Sequence, residues 1–318
     1  MSHNNPVAFL FPGQGSQAAG MGKELAALYP VAGHTFQEAD DALGFSISKL
    51  CFEGPEDQLK LTENTQPAIL TMSTAVARVL QEKGIVAQFA AGHSLGEYSA
   101  HVAAGTLDFA DAVRTVRDRG RYMQEAVPAG EGGMAAILGM PLDQLQEVCN
   151  DAAQGEVVSP ANINSPDQIV ISGNQKAVER AAELAKQRGA KRAVMLVVSA
   201  PFHCALMQPA QDRLEKDLHN LHFRNPEIPV ISNIDAAPKT TAEGSRQALV
   251  RQVTGAVQWA KSMQTLISLG VKTFVEVGPG KVLTGLMRQI DRNQTCLNAE
   301  DEASVQKVEN LFAAPAKE

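Results

Sequence analysis

The sequence predicts an α/β protein in two parts: a large unit with a mostly parallel sheet, and a small unit inserted into it. Three observations in the 318 residues carry this expectation. Short apolar runs alternate with amphipathic stretches in the first and last thirds of the chain, the rhythm of strands crossed by helices. A junction rich in Gly and Pro, Val127-Pro128-Ala129-Gly130-Glu131-Gly132-Gly133, breaks that rhythm. The segment behind it orders its elements β-α-β-β-α-β, the ferredoxin-like arrangement of one sheet covered by two helices, and the first rhythm resumes after Ser199. The expected units are residues 1–128 with 199–318, and residues 129–198.

Val7-Ala8-Phe9-Leu10-Phe11 read as a short buried strand, stopped by the polar loop Pro12-Gly13-Gln14-Gly15-Ser16-Gln17. Residues 59–83 are mostly helical, with Pro67 tolerable only near the helix start. Asp108 is a candidate N-cap for a helix through Glu125, with an apolar stripe of Phe109, Val113, Val116 and Met123. In the insert, residues 134–140, 157–163, 168–172 and 194–198 read as strands. Residues 164–167 form a turn, and 141–153 and 175–187 are helices, the second ended by Gly189. Beyond the insert, 205–221, 245–253 and 260–269 are helical, while 229–233 and 272–277 are strands. Gly278-Pro279-Gly280 ends the last strand, with a helix behind it; residues 313–318 are expected to fray.

Hydrophobic residues make up 44% of the chain and charged residues 20%, ordinary values for a soluble globular protein. A net charge of −7 argues against a general nucleic-acid or anionic-membrane surface. No apolar run reaches the ~18 residues of a membrane span. Met1-Ser2-His3-Asn4-Asn5-Pro6 lacks a basic n-region, so no secretory leader is expected. Cys51, Cys149, Cys204 and Cys296 are widely spaced without a CxxC pair. They fit a reduced, cytoplasmic setting as small core residues, with no metal site.

Gly92-His93-Ser94-Leu95-Gly96 carries the most chemical information. It follows the apolar run Phe89-Ala90-Ala91 and opens an Ala-rich helical stretch, the strand–turn–helix context of a G-x-S-x-G nucleophile elbow in an α/β-hydrolase-like domain. The glycines permit a sharp turn without a Cβ clash. The serine stands at the rim of the sheet over a helix N-terminus, where backbone N–H groups can stabilise an oxyanion. The same pentapeptide also serves as a plain strand-to-helix turn.

A serine nucleophile needs a base. Of seven histidines, His3 lies in the tail, and His34, His101, His219 and His222 fit surface or packing roles. His93 adjoins the serine, so its side chain points elsewhere on the turn. His203 follows an apolar strand on a loop, Ser199-Ala200-Pro201-Phe202-His203, from which it can reach a site on neighbouring strand ends. From that segment alone, a satisfied, half-buried histidine is the more ordinary reading. No Asp or Glu stands out as a third triad member, and a backbone carbonyl serves the orienting purpose as well. On the 108–125 helix, Arg114, Arg117 and Arg121 share one flank at ~100° per residue, and Arg119 falls on the other, roughly 80° from Phe109. Three arginines read as a solvated face. The fourth, beside the apolar stripe, needs a partner: an internal carboxylate, or the carboxylate of a substrate.

Taken in order, the motifs resemble the malonyl-CoA:acyl-carrier-protein transacylase family of fatty acid synthesis. The resemblance rests on Phe11-Pro12-Gly13-Gln14-Gly15-Ser16-Gln17, Thr65-Gln66-Pro67-Ala68, Gly92-His93-Ser94-Leu95-Gly96-Glu97 and Arg119-Gly120. It continues through Asn162-Ile163-Asn164-Ser165-Pro166, His203-Cys204-Ala205-Leu206-Met207, Val257-Gln258-Trp259 and Glu276-Val277-Gly278-Pro279-Gly280. It implies Ser94 as the acylated nucleophile, His203 as base, and the Gln252 carbonyl as the group that orients His203. It further implies an oxyanion hole from the N–H groups of Gln14 and Leu95, a carboxylate fork at Arg119, and substrate contacts at Asn162 and Phe202. Lys191 and Arg192 match a basic spot for carrier-protein docking, and read equally as a solvated pair. Some members carry a serine before the histidine; Phe202 in that place resembles malonyl-selective acyltransferase domains. The implied protein is a monomeric acyltransferase that uses malonyl-CoA and acyl carrier protein by a ping-pong route, without metal or bound cofactor. From the residues alone, a thioesterase or esterase on the same elbow, and a catalytically silent carrier-binding subunit, stay open.

Overall fold

The computed structural model describes residues 6–313, so the expectations for His3, for the first five residues and for residues 314–318 lie outside it. Strands β1 (Val7–Phe11), β2 (Phe89–Gly92), β7 (Val230–Ile231), β9 (Thr273–Val277) and β10 (Thr295–Ala299) pair in parallel, and β8 (Pro238–Lys239) closes one edge antiparallel to β7. The order is β10-β9-β1-β2-β7-β8, with β1 and β2 central. Both central strands are buried and short, as unbroken apolar runs flanked by helices should be. Because they run parallel, the loop after Phe11 and the turn after Gly92 emerge side by side at one end.

The second sheet comprises β3 (Gly132–Leu138), β4 (Val158–Ser165), β5 (Gln168–Asn174) and β6 (Arg192–Met195), in the antiparallel order β4-β5-β3-β6. With the helices Leu142–Ala153 and Gln175–Gln187 on it, this is the ferredoxin-like β-α-β-β-α-β unit, with its own apolar core around Ile137, Val148 and Ile171. The fold class expected from the sequence is thus observed. The small sheet is joined to the large unit by β4: Ile163 donates to the Val257 carbonyl at 2.9 Å, and Val257 donates to that of Ala161 at 2.8 Å.

Several element readings need correction. Pro67 is the sixth residue of the Thr62–Glu82 helix, past its first turn, and the helix continues through it. Asp108 occupies the N-cap position of Phe109–Glu125, but its carboxylate pairs with Arg224 and caps nothing. Asn164 and Ser165 belong to β4, so the 164–167 turn shrinks to Pro166 and Asp167. Strand β6 ends at Met195; the Leu196 N–H still donates to the Met134 carbonyl at 2.9 Å, and Leu196 to Ser199 line a cleft. Arg117 is not part of a solvated face: it stacks 4.2 Å from the Phe45 ring centroid, while Arg114 and Arg121 are exposed and paired with Asp111 and Asp118. The four cysteines are free, three of them buried. No helix among the described residues is long and apolar enough to cross a membrane, and no cluster of His, Cys, Asp or Glu there suits a metal ion.

Candidate active site

The turn after β2 is tight because two glycines meet backbone directly. A Cβ on Gly92 would lie 1.9 Å from the Gly96 carbonyl carbon, and one on Gly96 would lie 2.1 Å from the Phe11 carbonyl oxygen. Neither glycine takes the left-handed backbone; Ser94 does, at φ 50°, a conformation that disfavours a side chain and raises this one above the strand ends. Asn233, just past β7, holds the turn. Its Oδ1 accepts from the Ser94 N–H at 2.7 Å, and its Nδ2 donates to the Gly92 carbonyl at 2.7 Å.

His203 also has a left-handed backbone, at φ 60°, and is 4% exposed. Its Nδ1 lies 2.9 Å from the Gln252 carbonyl oxygen and its Nε2 lies 2.7 Å from Ser94 Oγ. A carbonyl only accepts, so Nδ1 carries the proton and Nε2 is free to accept from the serine hydroxyl. Burial, and next the charge of Arg119, push the imidazole down to about 3, so it stands neutral with Nε2 unprotonated.

Arg119 reaches the same hydroxyl from the other side. Its Nη2 donates to Ser94 Oγ at 3.1 Å and to Gln252 Oε1 at 3.0 Å, and its Nη1 donates to Gln66 Oε1 at 2.7 Å. The side chain is 2% exposed, lies 5.6 Å from the Tyr98 ring centroid, and leaves Nε without a partner. None of its three hydrogen-bond partners is a carboxylate. Of the two sequence readings for this arginine, the internal ion pair is therefore not what the site contains. Gly120 explains how the guanidinium arrives there. A Cβ at that position would sit 2.6 Å from the Thr62 carbonyl oxygen, so glycine lets the Phe109–Glu125 helix touch the helix that carries Gln66.

A cleft of about 670 Å³ opens over these groups, between the two sheets. Gln14, Leu95, Asn162 and Phe202 line it along with Ser94, His203 and Arg119. Neither the Gln14 nor the Leu95 backbone N–H donates a hydrogen bond among the described residues. The Asn162 side-chain oxygen is buried and unpartnered. His93 points away from the hydroxyl: its Nε2 donates to Asn164 Oδ1 on β4 at 2.8 Å, and its ring tilts against Trp259. Lys191 and Arg192 do not line the cleft; they are exposed at the start of the edge strand β6. Sequence reading missed three residues here. Gln66 lay within a quoted motif without a role, Asn233 had only a strand end to mark it, and Glu97 sits fully buried beneath the turn.

A neutral imidazole on a serine hydroxyl, with unpaired N–H groups and a buried cation alongside, is equipped for acyl transfer through serine. The fold and this pair define the class: the acyl transferase domain model matches residues 8–310. The malonyl CoA-acyl carrier protein transacylase of Escherichia coli is 52% identical over 284 residues, 89% of this chain and 92% of that protein. The chain belongs to this transacylase family. An acyl carrier protein S-malonyltransferase from Vibrio cholerae has a closely similar structure, with a TM-score of 0.94, 48% identity and coverage of 95% of this chain and 99% of that one. A malonyl-transacylase solved in complex with a type II PKS acyl-carrier protein superposes with a TM-score of 0.94, at 46% identity over 96% of this chain and 99% of the other.

Proposed function

We propose that this chain transfers the malonyl group from malonyl-CoA to the phosphopantetheine thiol of acyl carrier protein, through a malonyl ester on Ser94, to supply fatty acid elongation. One observation carries the reading. Ser94 Oγ sits between the acceptor nitrogen of His203 and the guanidinium of Arg119, which has no carboxylate of its own. His203 takes the hydroxyl proton as Oγ bonds to the thioester carbon. The N–H groups of Gln14 and Leu95, both open to the cleft, receive the oxyanion, and losing one such donor typically costs about 10²–10³ in rate. The carbon–sulfur bond breaks, and the His203 proton passes to the departing CoA thiolate. The carrier thiol then attacks the ester and the same steps run in reverse, a ping-pong cycle with the CoA thioester as substrate and no bound cofactor.

Arg119 grips the free malonyl carboxylate in a bidentate fork, and charge-assisted bonds of about 1.5–3 kcal/mol each hold the acyl group in one pose. The Gln252 carbonyl keeps the proton on Nδ1 of His203. Asn162 offers its unpaired oxygen to the substrate, and Phe202 fills space beside the acyl group. Lys191 and Arg192 give the acidic carrier protein a basic contact on the edge of the small sheet. We divide the chain into a catalytic domain of residues 1–128 and 199–318 and a small domain of 129–198, supported by the separate sheet over Gly132–Met195. Four free thiols and a net charge of −7 support a cytoplasmic monomer that binds neither nucleic acid nor membrane.

Intact mass after mixing the protein with malonyl-CoA alone tests the reading. Wild type gains one malonyl increment and Ser94→Ala gains none. A folded wild type that stays unmodified overturns it, and rapid release of free malonate would make the protein a thioesterase instead.

A further inference from the structure

A buried carboxyl group lies beneath the turn, and no step above uses it. Glu97, in the first turn of the Gly96–Ala103 helix, is fully buried. Its Oε2 accepts from Gln252 Nε2 at 2.7 Å and from the Asn233 N–H at 3.0 Å, and its Oε1 has no partner. Neither donor is a cation. The two residues it holds are the two that organise the site. Asn233 clamps both sides of the turn at Gly92 and Ser94. Gln252 gives its backbone carbonyl to His203 and its side-chain oxygen to Arg119.

We infer that Glu97 is a positioning residue for the reaction, which rests on the proposed malonyl transfer: it fixes which way the Gln252 amide faces, and so aims the Arg119 fork. The donor count supports this. The two hydrogens of Gln252 Nε2 face Glu97 Oε2 at 2.7 Å and the Ser94 carbonyl at 2.9 Å, with Asn233 Oδ1 a longer third acceptor at 3.4 Å, which leaves Oε1 as the end that faces Arg119. A flipped amide would set its N–H groups against the guanidinium and its oxygen against three acceptors. Arg119 would then lose one of the three side-chain oxygens it donates to, leaving Gln66 and Ser94. Burial pushes the Glu97 carboxyl up to about 7, yet a proton on the unpartnered Oε1 leaves Oε2 an acceptor. The amide is therefore held in either protonation state, and glutamine at position 97 can supply the same accepting oxygen.

A purely structural Glu97 would alter stability without altering the choice between acyl groups. The test compares malonyl and acetyl transfer from their CoA thioesters, with thermal unfolding, in Glu97→Ala, Glu97→Gln, Gln252→Ala and the Glu97→Ala/Gln252→Ala double variant. Glu97→Ala and Gln252→Ala are each expected to lower the malonyl-over-acetyl preference in kcat/KM about tenfold, chiefly through KM for malonyl-CoA. The double variant should be no worse than the poorer single one, because both changes remove one arm of support. Glu97→Gln should stay within about threefold of wild type. If Glu97→Ala does not fold, Glu97→Met, similar in length without an acceptor, takes its place with the same expectation. An unchanged preference in the folded variant, fully additive losses, or failure of a folded Glu97→Gln to retain the preference would each overturn the inference. Wild type that takes no malonyl group by intact mass would overturn the functional reading instead, so the two failures are distinct.

Discussion

Arg119 and Ser94 share a hydrogen bond of 3.1 Å, from a guanidinium that has lost nearly all contact with solvent to the hydroxyl that also lies 2.7 Å from His203 Nε2. Stranding a buried cation with only neutral hydrogen-bond partners is costly unless something else completes its coordination, and burial pulls its pKa below the usual guanidinium range accordingly. On the proposed reading, a substrate carboxylate is that partner. Replacing Arg119 with Ala should lower kcat/KM for malonyl-CoA by about 10²-fold or more, the usual consequence of removing one member of a buried charge pair. Acetyl transfer, which has no carboxylate to lose, should change by less than about tenfold. Steady-state assays with both donors check this, and equal losses would make Arg119 a structural residue.

The same arginine contributes to the pH behaviour of His203. Burial is the larger cause of the low His203 value and the Arg119 charge the next, so the neutral imidazole persists far below the ordinary 6.5. A free histidine would show an acid limb near pH 6.5. Wild-type kcat/KM for acetyl-CoA should stay flat from pH 8 down to about pH 5. In Arg119→Ala one depressing cause is gone while burial, the larger one, remains, so the imidazole gains protons at higher pH and the acid limb should move up towards that range. The linked stability has the opposite appearance. Unfolded His203 binds a proton below 6.5 while the folded form resists down to about 3, so its contribution to stability is complete above pH 6.5 and declines as pH falls through that interval. Urea melts of wild type and His203→Ala across pH 5 to 8 should converge on the acid side.

How much of this was legible in the chain follows from what each residue needed. The turn at Ser94 was readable because two glycines in a strand–helix context have few other uses, and the close backbone contacts of Gly92 and Gly96 supply the reason. The small unit was readable because its turns and two amphipathic helices punctuate an ordered β-α-β-β-α-β run. The orienting carbonyl of Gln252 was not, since any residue has a carbonyl and only the resemblance pointed to this one. Gln66, Glu97 and Asn233 reach the site from three separate elements, and no spacing within one segment records that meeting. Between Lys23 and Leu59 four helices of 4 to 14 residues also went unread, because few of them carry a side-chain cap or a long apolar period.

Gly120 offers a test of positioning from outside the cleft. Its missing side chain brings two helices together at the Thr62 carbonyl, a backbone atom that cannot swing aside. Gly120→Ala must separate them by a few tenths of an ångström or more, which shifts Arg119 relative to Gln66. The variant should lose about 1–3 kcal/mol of stability, the cost typical of overpacking, and should lose malonyl transfer more than acetyl transfer. Thermal melts with paired assays separate the effects. A stability loss with both activities falling in parallel would mean the contact matters to packing alone.

Phe202 bears on which acyl group enters. Its ring is half-buried, lines the cleft next to His203, and packs against the small sheet's cluster of Met134, Ala161 and Val170 as well as the large core. A methyl branch on the malonyl carbon adds one carbon, and a pocket distinguishes one carbon by about 1–3 kcal/mol. If the ring occupies the branch position, Phe202→Ser should raise kcat/KM for methylmalonyl-CoA relative to malonyl-CoA by at least about tenfold. Malonyl transfer itself should fall only a few-fold, because the proposed fork at Arg119 is left intact. Competition between the two thioesters, read by intact mass of the acylated enzyme, measures the ratio in one tube. If the ratio stays put while the variant melts lower, Phe202 is joining the two sheets and selection lies elsewhere in the cleft.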